Sequence, residues 1–184
     1  MTSASHRSSS AALGLAALLA ACGGGGDDNA GTVPQLAPAS GASLTSCTDL
    51  TTRAAFANTT FTAASAVATG ALTIAGNAVP AHCLVTGRMF DRVSTVDDKS
   101  YAIGFEMRLP NDWNGRFWYQ ANGGTDGAVS TAVGSASAGA ALTNALQQGF
   151  AVLSSDAGHS NAQNPTFGID PQARLDYGSR RSAS

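Results

Sequence analysis

Charge is what this sequence has least of. Its 184 residues include 10 Lys and Arg against 12 Asp and Glu, so charged side chains make up 12% of the chain, where a soluble globular domain ordinarily carries about 25%. The formal net charge is −2. The basic footprint that grips a phosphate backbone is missing, which excludes nucleic acid as a partner. Cysteine is scarce as well, at 3 residues. His82 stands beside Cys83, but no second His or carboxylate lies at ligand spacing, so no metal site is expected. Long apolar runs are absent: residues 11–19 are too few to cross a bilayer, which takes about 20 apolar residues. The length allows one domain at most once any leader is subtracted.

What is present is most readable at the start. His6 and Arg7 precede the apolar run, which ends in the small residues Ala20 and Ala21. This is a secretory signal pattern, and residues 1–21 are expected to be removed. Leu19-Ala20-Ala21-Cys22 resembles the bacterial lipobox, in which the Cys is acylated and becomes the new N-terminus. Cys22 is therefore the expected lipidation site. The expected location is exported, on the periplasmic face of the outer membrane or the cell surface, with Gly23 rather than Asp after the Cys. Residues 22–46, rich in Gly, Ala, Ser, Thr and Pro, read as the lipidated Cys and a flexible linker. Export leaves Cys47 and Cys83 in an oxidising compartment, where a disulfide between them is expected.

Folding signals begin near Cys47. Residues 48–57 read as a short helix, and 63–78 show only weak alternation. Residues 84–90 and 101–109 both alternate and flank the polar stretch 94–100, which predicts an antiparallel hairpin. Turn chemistry at 110–115 leads into the aromatic run Arg116-Phe117-Trp118-Tyr119-Gln120, a third strand. A glycine-dense loop at 122–127 precedes a helix expected over 139–148 and stopped by Gly149. Residues 150–155 read as a buried strand, 156–171 as loop, and 172–177 as the start of another helix. That order suits the opening of an α/β sheet. In such sheets reactive groups gather on loops at the carboxyl ends of strands, so the glycine loop is the first place to look for backbone N–H groups that stabilise an oxyanion.

Four segments carry a resemblance: Pro80-Ala81-His82-Cys83, the run from Leu109 through Trp113-Asn114-Gly115-Arg116-Phe117, Ser155-Asp156-Ala157-Gly158-His159, and the run from Phe167 through Asp170-Pro171-Gln172-Ala173-Arg174-Leu175-Asp176-Tyr177-Gly178. In order and content they resemble the tannase and feruloyl esterase family, which includes the hydrolases of mono(hydroxyethyl) terephthalate. The resemblance implies an α/β-hydrolase fold, of which residues 47–178 are the N-terminal part: strands, a glycine-rich oxyanion loop, the first helix and the following strand. It also implies serine carboxylic ester hydrolysis, with small-molecule aromatic (phenolic) esters as substrates. Gly124 matches the family's oxyanion-hole glycine, with Gly123 and Thr125 shaping the turn and His159 a cleft-lining candidate. Ala121 and Asn122 stand where the family has two further glycines. Cys47 and Cys83 match a family disulfide. The family's lid carries calcium, and that region is not within this stretch, so no cofactor is expected here.

The family's nucleophile lies in a Gly-Cys-Ser-x-Gly-Gly turn that follows the next strand and helix, and its Asp and His lie further on. No Gly-x-Ser-x-Gly occurs in this sequence, and a triad of Ser154 or Ser155 with Asp156 and His159 has the wrong placement. After Gly178 the resemblance stops, and residues 179–184 read as a divergent end, as in a truncated or frame-shifted chain. The expectation is an esterase segment inactive and poorly stable on its own. The competing reading, from another class, is a non-catalytic exported lipoprotein that binds an aromatic or polymeric ligand through Trp113, Phe117, Trp118 and Tyr119, residues more often found in a core.

Overall fold

The computed structural model describes residues 38–135 and 144–178. The leader, Cys22, the linker up to residue 37, the first half of the expected 139–148 helix and residues 179–184 lie outside the described residues. In chain order the elements are β1 (Ala42–Ser43), α1 (Leu50–Arg53), β2 (Thr59–Val67), β3 (Thr73–Ile74), β4 (Asn77–Ala78), β5 (His82–Val93), β6 (Ser100–Pro110), β7 (Asp112–Trp113), β8 (Phe117–Gln120), β9 (Ala151–Ser155) and α2 (Pro171–Gly178). Short 3-10 turns at Asn161–Gln163 and Thr166–Ile169 precede α2.

The expected hairpin is the frame. β5 and β6 pair antiparallel from His82↔Pro110 to Val93↔Ser100, with one irregularity between Met89 and Arg92. It is closed by Ser94, whose N–H donates to Lys99 O at 2.8 Å and whose Oγ accepts from Val96 N at 3.0 Å. β2 adds to one side and β9 to the other, giving the order β2-β5-β6-β9-β8. All these pairs are antiparallel except β8 with β9.

Register assigns the faces, because successive side chains in a strand point opposite ways. Arg108 pairs with Val152 and Glu106 with Ser154, so these share one face with the cluster of Val79, Ala132, Ala145, Leu146 and Val152. Tyr101 stands on the opposite face and packs with Phe167, Ala173 and Tyr177. Both faces of the sheet therefore acquire cover.

Helix α2 starts at Pro171, one residue before the expected 172. Pro171 suits a first helical position, and Asp170 caps it by accepting from Ala173 N at 2.6 Å. Burial pushes the Asp170 carboxyl up, but bonds from Ser94 and Ala173 N and the charge of Arg92 outweigh it, so its pKa lies below the usual value. Arg92 also pairs with Asp176 at 2.9 Å, which ties the helix to the end of β5.

Several expectations are corrected. The helix over 48–57 shrinks to Leu50–Arg53, because Ala54 turns extended (φ −89, ψ 115) on the way into β2. The linker does not run unordered to Ser46: Ala42 and Ser43 pair with Trp113 and Asp112, inside the expected 110–115 turn. Backbone pairing needs no large side chain, which is why composition hid it. The weakly alternating stretch is β2 plus the small β3–β4 hairpin. Within the expected 139–148 helix, the described residues form turns, with Gln148 N donating to Asn144 O at 3.2 Å and Gly149 N to Leu146 O at 3.1 Å.

Cys47 and Cys83 form the expected disulfide across 36 residues. Replacing both with Ser is expected to cost about 3–4 kcal/mol in a denaturant titration, the loop-closure value for that length. Beside it, buried His82 holds Pro80 O through Nδ1 and Arg108 through Nε2, both at 2.8 Å, and Arg108 also bonds Glu106 at 2.8 Å. Nε2 accepts from a guanidinium, so the ring is neutral here. Burial lowers its pKa below 6.5 and the Arg108 charge adds to this, against the pull of Pro80 O and Glu106. The unfolded chain then takes up the proton at a higher pH than the folded one, so stability declines as pH falls below 6.5. Denaturation midpoints near pH 7.5 and near pH 5 should differ in wild type and differ less in His82→Gln.

Candidate functional site

The chain leaves β8, crosses one face of the sheet and returns as β9 alongside β8 in the same direction, with Gln120 opposite Ser154. The carboxyl ends of the two strands therefore open on one crevice, the usual place for reactive loops in an α/β sheet. The glycine loop leaves β8 there, and Asp156 to Ser160 leave β9.

One flank of the glycine loop is pinned by a side chain and the other by backbone hydrogen bonds. Asn122 Nδ2 donates to Ser155 O at 2.9 Å and lies 3.1 Å from Ser154 Oγ. On the far flank Gly127 N donates to Asp156 O at 3.0 Å, and Asn161 N to Gly127 O at 2.8 Å. A Cβ on Gly127 would lie 2.8 Å from Asn161 N, and its φ of +104 disfavours L side chains, so glycine is required twice over. Between the flanks Gly123, Gly124 and Thr125 are exposed. Gly124 has φ +68 with nothing within 4 Å of a hypothetical Cβ, so conformation, not space, selects glycine there. Its N–H makes no hydrogen bond among the described residues, while its carbonyl accepts from Tyr177 Oη at 3.4 Å.

His159 is buried, with Nε2 3.0 Å from Asn164 Oδ1 and its ring stacked on Phe167 at 3.7 Å. It lies in the wall of a cleft of about 560 Å³ that Arg88, Lys99, Gly104, Asp156 and Ser160 also line. The local Ser, Asp and His are engaged elsewhere. Asp156 Oδ1 accepts from Gly104 N and Gly158 N at 3.0 and 2.9 Å, and Ser160 Oγ bonds Gln163 at 3.0 Å. Among the described residues no three His, Cys, Asp or Glu stand close enough to hold a metal ion.

Sequence reasoning missed the scaffolding residues. Gln120 is the most connected of them: its Oε1 accepts from Val133 N, Gly134 N and Ser135 N at 3.1, 2.8 and 3.4 Å. Its Nε2 donates to Thr131 O at 3.1 Å. The one available signal was a polar residue closing an aromatic strand. Trp113, Phe117, Trp118 and Tyr119, expected mostly as core, instead lie 36–56% exposed along β7 and β8. The other edge of β8 carries no strand among the described residues.

Sheet order and crevice define an α/β-hydrolase architecture, and comparison with known proteins agrees. The crystal structure of feruloyl esterase B from Aspergillus oryzae superposes with a TM-score of 0.54 at 20% identity, covering 71% of this chain and 25% of that one. An esterase of the same organism gives 0.51 at 19% identity, with the same coverage. The family model for tannase and feruloyl esterase matches residues 83–184, and the chain belongs to that family. It is 41% identical over 114 residues to the mono(2-hydroxyethyl) terephthalate hydrolase of Piscinibacter sakaiensis, covering 58% of this chain and 19% of the relative. An uncharacterised esterase of Agrobacterium fabrum is 30% identical over 114 residues, or 58% of this chain and 20% of that protein. The chain thus spans about a fifth of the length of these curated relatives.

Gln120→Leu should strand the Gly134 and Ser135 N–H groups, Val133 N keeping its bond to Thr131 O at 2.9 Å, and lower stability by about 2–3 kcal/mol in urea titration. Gln120→Glu, which keeps an acceptor in place, should lose less.

Proposed function

We propose that this chain is the oxyanion-loop segment of a serine carboxylic ester hydrolase acting on aromatic, phenolic esters. The observation that carries the reading is the unengaged Gly124 N–H, held at positive φ at the carboxyl end of two parallel strands. In this reaction a Ser oxygen attacks the ester carbon and gives its proton to a His. The carbonyl π pair moves onto oxygen, and Gly124 N–H donates to that developing charge. Collapse expels the alcohol, which takes the proton back, and water then hydrolyses the acyl-serine by the same route. One such donor is worth about 10²–10³ in kcat.

The nucleophile, its His and its Asp belong to segments beyond these 184 residues, none of which forms a Gly-x-Ser-x-Gly turn. The purified chain should therefore show no turnover of an aromatic ester such as methyl ferulate. The coding region read past codon 178 in all frames should encode that turn, followed by Asp and His. Turnover by the chain alone overturns the assignment of the nucleophile elsewhere.

The exposed aromatic row on β7 and β8 favours one second reading, a lipoprotein that binds aromatic or polymeric ligands without reacting. Saturable binding of an aromatic ligand, weakened by Phe117→Ala or Trp118→Ala, with no hydrolytic segment downstream, selects it.

Export and lipidation at Cys22 are also proposed. Cys22→Ala should shift the protein from the membrane pellet to the soluble fraction; an unchanged distribution removes the anchor.

A further inference from the structure

We infer that His159 is a positioning residue for the Gly123-Gly124-Thr125 turn, acting through Asn164 with its proton on Nε2. The inference rests on the reading of Gly124 as an oxyanion donor. Asn164 Nδ2 donates to Asp126 O at 3.2 Å, so the other end of that amide, Oδ1, is an acceptor. The atom facing it at 3.0 Å is His159 Nε2, which must be the donor. In the neutral ring Nδ1 then carries a lone pair, and it is buried with no hydrogen-bond partner among the described residues. Nε2 is spent on Asn164, so this His is not placed to take a proton from a nucleophile through that atom.

Packing holds the ring in this orientation. It lies on Phe167 at 3.7 Å with 9° between planes, and meets Tyr177 edge-on at 5.8 Å. Rotation would break both contacts. From the ring the path runs through Asn164 to Asp126 O, immediately before Gly127, whose carbonyl takes Asn161 N. The exposed residues between Asn122 and Asp126 have little packing of their own, so the direction of the Gly124 N–H is set by its two flanks. Asn122 governs one; His159, through Asn164, governs the other.

The test uses the full chain labelled with 15N. In wild type the neutral imidazole should report hydrogen on Nε2 and a lone pair on Nδ1. In His159→Phe, which keeps an aromatic ring against Phe167 but removes the donor, amide exchange at Gly127 and Asn161 should rise about tenfold, the effect of losing one ordinary hydrogen bond. The β5–β6 amides should stay near wild-type rates. His159→Gln, whose amide N–H can reach the Nε2 position, should restore protection at Gly127 and Asn161. The inference is overturned by an Nδ1–H tautomer, by unchanged exchange in His159→Phe, or by a rise of equal size at the β5–β6 amides. Ester turnover by a protein carrying the complete triad decides the oxyanion reading separately: if Gly124→Pro leaves it unchanged, that reading fails while the exchange pattern still decides the clamp.

Discussion

The parallel hydrogen bonding of β8 to β9 is the contact on which the geometry of the site depends. β9 also pairs antiparallel with β6, so it enters the sheet inside β8 instead of extending the edge. That insertion forces the intervening chain over one face, where Ala132, Ala145 and Leu146 bury against Val152. It also brings the loop after β8 against the loop after β9. Neither loop has an apolar core of its own, and each supplies the other's hydrogen-bond partners.

Short polar side chains do most of that joining. A loop rich in glycine loses much conformational entropy on ordering, and here burial does little to offset it. Directional bonds take over that role, and asparagine suits it, since one small amide offers both a donor and an acceptor. Asn122 and Asn164 both stand at the crevice, and their side-chain amides donate to the backbone carbonyls of Ser155 and Asp126. The glycine loop is thus organised from outside, and the Gly124 N–H makes no hydrogen bond among the described residues.

How much of this was legible in the sequence follows from the range of the interactions. The β5–β6 hairpin declared itself by alternation bounded by a polar turn, and β9 by an unbroken apolar run, because both patterns are local. The start of α2 was legible to within one residue, at 172 against the observed Pro171, while the Asp170 cap was missed. Strand order was not legible, since nothing in Ala151–Ser155 says that it enters between β6 and β8. β1 was missed because its pairing with Trp113 is made by backbone alone. At the site, glycine content pointed to Gly123 and Gly124, but the partners that hold the loop lie up to 53 residues away, as with Tyr177. Asn122 read as a departure from a glycine pattern, whereas its amide joins the loop to β9.

The arrangement around Gln120 has an electrostatic consequence. Three successive N–H groups converging on one point form the kind of hollow that elsewhere receives anions. Here the hollow holds an amide oxygen, which satisfies the hydrogen bonds but brings no net charge. The carbonyl dipole of that amide offsets the peptide dipoles only in part, because it carries no formal charge. A ligand anion is thereby kept out of the hollow, since its place among the three N–H groups is already taken.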